Sequence, residues 1–344
     1  MTLIYFILIL GITVLIHEFG HYLFAKKAGV YVYEFSIGMG PRLFKWKRKN
    51  DETEYSFRLL PIGGYVALAG EEALENKDIP KGKSLRDKSF IQNLLIMVAG
   101  VFNNFLLALV LLFIVGLVNG YTETKPIINT ISPNSEALVA GLQTNDVITK
   151  INNHKVNNTD KLLLELSIIK EDEITLTVNR DGITKDIKLK VNKIEDENGT
   201  SFKMGFTLNQ ENHKGFVYAI KYAFTKFGSL VEQMIFILIY LVTGKLSLNN
   251  LSGPVGIYVL VGNVAKTGFI NIIYLMAYLS LNVGIINILP FPAFDGGRVF
   301  LTAVEKIRGK KLSMKVENGI NTIGFMLLML LMIYVTLNDI LHLF

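Results

Sequence analysis

Four stretches of this sequence are long and apolar enough to cross a bilayer, and they limit the fold before any motif is considered. They cover about residues 2–24, 91–118, 272–289 and 323–341. A crossing helix takes about 20 predominantly apolar residues, because lipid offers no water to satisfy an open backbone. Of 344 residues, 51% are hydrophobic and only 19% charged, so an ordinary soluble class is excluded. A fifth stretch, residues 234–242, is apolar but too short to span alone. With the helically alternating residues before it, it reads as an amphipathic helix lying at the interface, with a true span as the alternative. The first stretch has no Lys or Arg ahead of it and Lys26 and Lys27 behind it. A cleaved signal peptide has the reverse pattern, so this segment is expected to remain as a span.

Charge then orients the bundle. Lys26, Lys27, Arg42, Lys45, Lys47, Arg48, Lys49, Arg86 and Lys88 lie between the first and second spans, and Lys306, Arg308, Lys310, Lys311 and Lys315 between the third and fourth. Basic loops stay in the cytoplasm. Both termini and the long stretch between the second and third spans are therefore expected outside. The net charge of +6 is absorbed by this asymmetry, and nucleic acid is not an expected partner. Cysteine is absent, so disulfides and thiolate metal sites are excluded.

The expected organisation has four parts. Residues 1–120 hold the first two spans, and residues 121–200 a small β-rich domain. Residues 201–270 connect, and residues 271–344 hold the last two spans. Within the β-rich part, ITLTVNRDGITKDIKLKV predicts a hairpin turning at Asp181-Gly182. Asn145 and Asn153 stand at two tight turns, where asparagine tolerates the left-handed conformation. Between the first two spans, YSFRLLPIGGYVALAG (residues 55–70) is two β-like runs joined by Pro61-Ile62-Gly63-Gly64, unusually apolar for a cytoplasmic loop. A β-hairpin dipping into the membrane reconciles these properties, since irregular backbone survives there when protein shields it.

The chemistry is concentrated in HEFGH, residues 17–21. Histidines four apart share one helix face, so His17 and His21 can bind one zinc ion, and Glu18 is placed to take a proton from metal-activated water. Charged groups at mid-span cost about 2.5–3.5 kcal/mol on insertion scales, which argues for function. A third ligand is needed. His154 and His213 fall in the outward part and His342 at the C-terminal end, so Asp295 in NILPFPAFDGGRVF is the outstanding carboxylate. Taken alone, that stretch reads as an ordinary helix end with an Asp-Gly turn.

Taken together, HEFGH, NILPFPAFDGG, GYVALAGE, NLSGPVGI and the intervening β-rich domain resemble the site-2 protease family of intramembrane zinc metalloproteases, in its bacterial RseP-type form with a single PDZ domain. The likeness covers nearly the whole chain. It implies His17, His21 and Asp295 as zinc ligands and Glu18 as catalytic acid–base. It further implies Asn287 as a substrate-binding residue, and Gly63, Gly64 and Tyr65 as part of a hairpin that pairs with extended substrate. The implied substrates are single-span proteins of the bacterial cell membrane, such as an anti-sigma factor or a remnant signal peptide. Phe294 and Val101 depart from the leucine and proline usual in the family. A membrane metal transporter and a non-catalytic scaffold are the alternatives.

Overall fold

The computed structural model describes residues 1–71, 79–122, 125–168, 171–190, 192–196, 199–209 and 212–341; His342 lies outside them. The chain divides into two compact units, Met1–Leu111 with Leu248–Phe344, and Leu112–Ser247.

In the first unit, α1 (Thr2–Lys27) leads into two long strands, β1 (Val32–Lys47) and β2 (Glu54–Leu68), and then into α2 (Phe90–Asn119), which runs on into the second unit. The two β-like runs of residues 55–70 were expected to pair with each other across Pro61–Gly64. Instead both belong to β2, and each pairs with β1: Ile37 is partnered by Gly64 and also by Phe57. The expectation missed β1, which a basic, loop-like composition disguised. Its charges are used within the sheet, where Arg42 and Arg58 both bond the buried Glu34.

The second unit contains β3 (Tyr121–Thr122), β4 (Ile128–Ile131), α3 (Glu136–Val139), β5 (Val147–Ile151), β6 (His154–Lys155), α4 (Thr159–Ile168), β7 (Glu173–Arg180), β8 (Ile183–Lys190), β9 (Asn192–Asp196), β10 (Gly199–Lys203), β11 (Phe206–Leu208), β12 (Asn212–His213) and α5 (Phe216–Val242). Strands β6-β5-β7-β8 form one sheet over a core that includes Ile128, Ile148, Leu162, Leu166, Leu176 and Leu189. The hairpin turns where sequence placed it: Arg180 pairs with Ile183, and Asp181 and Gly182 both have positive φ. Asn145 and Asn153 are likewise left-handed, at 69° and 68°.

Residues 234–242 are helical together with the residues before them. They are the end of α5, a continuous helix of 27 residues that is long and apolar enough to cross a membrane. The polar residues upstream do not break it because the β-rich part partners them. Lys226 bonds Asp160, and Glu232 accepts from Asn157 and Asn158.

The first unit resumes with α6 (Pro254–Thr267), α7 (Phe269–Ile288), α8 (Asp295–Arg308) and α9 (Met314–Leu341). Among the described residues, five helices (α1, α2, α5, α7 and α9) have the length and hydropathy of a span. Ile323, Phe325, Leu327 and Leu330 of α9 are all exposed, an arrangement suited to lipid. Asp339 on that helix is explained locally, since its carboxylate accepts the Gly253 and Gly256 amides at the start of α6.

Candidate metal centre

The α1 helix places His17, Glu18 and His21 in its last third, with both imidazoles buried. Helix α2 packs against that stretch at very short range. A Cβ on Gly20 would lie 2.3 Å from the Ala99 carbonyl oxygen, and one on Gly100 would lie 2.6 Å from His21 Nε2 and 2.8 Å from His17 Nε2. Gly100 therefore leaves the rings the space they occupy.

The carboxylate comes from the far end of the chain. After α7 the backbone turns through Leu289–Phe294, with Ala293 at a positive φ of 79°. Helix α8 then starts at Asp295. The two glycines that follow are required by contact. A Cβ on Gly296 would meet the Ile288 oxygen at 2.2 Å, and one on Gly297 the Phe291 oxygen at 2.2 Å. Only so close a fold-back brings Asp295 under α1.

The three donors converge. His17 Nε2 lies 2.9 Å from Asp295 Oδ2, His21 Nε2 lies 3.2 Å from the same oxygen, and the two Nε2 atoms are 3.2 Å apart. Tetrahedral zinc with bonds of about 2.0–2.1 Å sets its donors about 3.3–3.4 Å apart, so the triangle fits that ion. The chemistry agrees with the distances. His21 Nδ1 lies 2.8 Å from the Ile96 carbonyl oxygen, which only accepts, so a proton sits on Nδ1 and the neutral imidazole offers its lone pair at Nε2. Asp295 Oδ2 is buried and forms no hydrogen bond despite its two close neighbours. Electron pairs directed at one point call for a cation. Among the described residues this is the one His/Asp/Glu group with such geometry. His154 instead contacts Glu165, and His213 stacks on Tyr218.

A cavity of about 260 Å³ adjoins the triangle, lined in part by Glu18, Val66, Leu68, Asn287, Asp295 and Arg298. Asn287 is thus brought to the site. Gly63, Gly64 and Tyr65 are not on its wall. Gly63 and Gly64 pack against Val14 and Leu15 of α1. The Tyr65 hydroxyl donates to Glu34 at 2.6 Å.

The residues that face the cavity from β2 are Val66 and Leu68. Their amides donate to Glu18 Oε2 at 3.2 Å and to Glu71 Oε2 at 3.0 Å. Strand alternation would have found them once β1 was known to occupy the other edge. Arg298, held by Glu71 at 2.6 Å, was also missed. Its only signal was its place three residues after Asp295, one helical turn along.

Known proteins resemble this chain along nearly its whole length. The profile described as peptidase family M50 matches residues 5–331. A Clostridium perfringens protein with a zinc metalloprotease name is 38% identical, over 99% of this chain and 98% of its own. The regulator of sigma-W protease RasP of Bacillus subtilis is 32% identical, over 100% and 99%. A solved PDZ domain of an SdrC-like protein from Listeria innocua covers 26% of this chain and 98% of its own, at 18% identity and a TM-score of 0.22, too slight a likeness to define the fold of the β-rich part. The motifs, the apolar helices and the match along nearly the whole length have one reading: the chain belongs to peptidase family M50, the site-2 proteases, and is a multi-pass membrane zinc metalloprotease.

Proposed function

We propose that His17, His21 and Asp295 hold the zinc ion, that Glu18 is the general base and then the general acid, and that the scissile bond lies within or beside the transmembrane segment of a single-span protein. The observation that carries this reading is the convergence of three donor atoms within 3.2 Å beside a cavity that Glu18 lines. When bound, zinc polarises the scissile carbonyl and makes water acidic enough to be deprotonated near neutral pH. Glu18, next to His17 in sequence, takes that proton and returns it to the leaving amine. Asn287 on the cavity wall orients the substrate backbone by hydrogen bonding.

A substrate helix must unwind to expose a carbonyl. The edge of β2 at Val66 and Leu68 supports pairing with the freed strand, because both amides point away from β1 and toward the cavity. Gly63 and Gly64 set the bend of β2 ahead of that edge, and Tyr65 anchors the sheet to Glu34. Likeness to RasP, named as a regulator of sigma-W, supports an anti-sigma factor as one substrate class.

The direction of the helices supports four crossings of the cell membrane. The start of α1 packs with the start of α7, through Tyr5, Phe6, Ile9 and Ile272. Glu18 and Asp295 meet at their far ends. The two therefore run the same way, with α2 against them, so the chain between α2 and α7 leaves and returns at one face and α5 is not a single crossing. Basic loops assign the metal end to the cytoplasm, and the termini and the PDZ-like domain (residues 121–200) to the outside.

The test is Glu18→Gln in purified protein, with metal content and cleavage of a model single-span substrate measured on one sample. Zinc is expected near one per chain and turnover lower by about 10²–10⁴-fold, the usual worth of acid–base catalysis. Turnover close to wild type would remove Glu18 from the reaction.

A further inference from the structure

A histidine that gives its Nε2 lone pair to a cation must carry its proton on Nδ1 and have an acceptor there. His21 has one in the Ile96 carbonyl oxygen. His17 Nδ1 instead lies 3.3 Å from Asn104 Nδ2. Asn104 is fully buried, and its Oδ1 has no hydrogen-bond partner. The residue is held firmly. It follows Gly100 by one turn of α2, and its backbone oxygen accepts from Ser280 of α7 at 2.9 Å.

The orientation of this amide is tied to the tautomer of His17. With Nδ2 toward the ring, Asn104 donates to Nδ1, and the His17 proton sits on Nε2, where it blocks the shared point. Once Nε2 gives its lone pair away, the proton moves to Nδ1 and two donors face each other. A half-turn of the amide about its last side-chain bond exchanges oxygen for nitrogen without moving the rest of the residue. Oδ1 then accepts the Nδ1 proton, and the buried oxygen gains a partner.

We propose that Asn104 is a positioning residue for His17, accepting its Nδ1 proton through Oδ1 in the metal-loaded protein and so holding the Nε2 lone pair on the metal. This rests on the reading of His17 as a ligand. Sequence reasoning passed Asn104 over, since nothing in AGVFNN distinguishes it from Asn103, whose amide donates to the Ile16 carbonyl oxygen.

The experiment is zinc affinity by chelator competition on the full-length protein, for wild type, His17→Ala, Asn104→Leu, Asn104→Ala and Asn104→Asp, with thermal unfolding of each metal-free form. Asn104→Leu and Asn104→Ala are expected to bind zinc about 10–100-fold more weakly, as losses of such supporting partners do. Asn104→Asp is expected to bind within a few-fold of wild type or tighter, because a carboxylate accepts and cannot donate. If the leucine variant does not fold, alanine against aspartate carries the same comparison. Wild-type affinity in the leucine or alanine variant overturns the proposal. So does an aspartate variant as weak as they are, which would mean that Asn104 acts by packing or by donating. His17→Ala separates the two levels. If it too binds zinc normally, the ligand assignment fails; if it alone loses zinc, only the role of Asn104 does.

Discussion

Asp295 shows how a single side chain depends on its neighbours' lack of one. The carboxylate reaches the imidazoles because Gly296 and Gly297 let α8 begin against the carbonyls of Ile288 and Phe291. Removing the carboxylate removes the one anionic donor of the set. Asp295→Ala is expected to abolish cleavage and to weaken zinc retention by at least tenfold, with the fold intact, since the backbone contacts that build the turn are unchanged. Equilibrium dialysis against a zinc buffer checks this; unchanged stoichiometry and affinity would assign the third ligand elsewhere. On the other flank, Gly100 leaves no room for even a methyl group beside either ring.

At the level of elements, the β-rich part is organised around a buried ion pair. Asp146 is fully buried and accepts from Arg180 Nε and Nη2, each at 2.7 Å, which ties the start of β5 to the end of β7. Burial alone would raise its carboxyl, but the Arg180 guanidinium and the Gln143 amide hold it below the usual carboxylate range. Removing the half-buried cation leaves the Asp146 carboxylate with the Gln143 amide as a remaining donor, so Arg180→Ala is expected to cost about 1–3 kcal/mol near neutral pH. The sign of the pH dependence follows from the lowered value. The pair's contribution is complete above the unfolded-state pKa of 3.8 and is lost as pH falls through the lower folded value. The stability gap between wild type and Arg180→Ala should therefore narrow below about pH 4. Denaturant unfolding followed by hydrogen exchange in β5 and β7 measures it, and a gap independent of pH would show that Asp146 is not the linked group.

For the whole molecule, the question is what the β-rich domain does for a protease that works in the membrane. A recruiting domain would raise cleavage of every substrate. A size filter would exclude those with bulky outward parts. We expect a filter, because the outward placement proposed above for residues 121–200 would set this domain where a substrate's outer portion lies. Deleting residues 127–191 should then restore cleavage of a full-length substrate while leaving its pre-trimmed form cut at the original rate. The comparison is valid only once zinc content of the deletion variant matches wild type. Equal loss on both forms would favour recruitment instead.

Much of this protein was legible in its sequence, and the division has a physical cause. Hydropathy over 20 residues, the four-residue spacing of His17 and His21 and the Asp-Gly turn at residue 181 are local properties, set by helix pitch, bilayer thickness and turn sterics. The helices and the hairpin turn therefore appeared close to where they were expected. Strand β1 did not, because its charges look like a loop until Glu34 is seen to collect them. The partners of the polar residues of α5 were also out of view, because Asp160, Asn157 and Asn158 lie far away in the chain. The partnership of Asp295 with His17, the turn of Val66 toward Glu18 and the approach of Asn104 to His17 Nδ1 also belong to the tertiary structure alone. Each joins residues at least 48 positions apart, and contact at that separation is decided by how helices and strands pack, which no local pattern encodes.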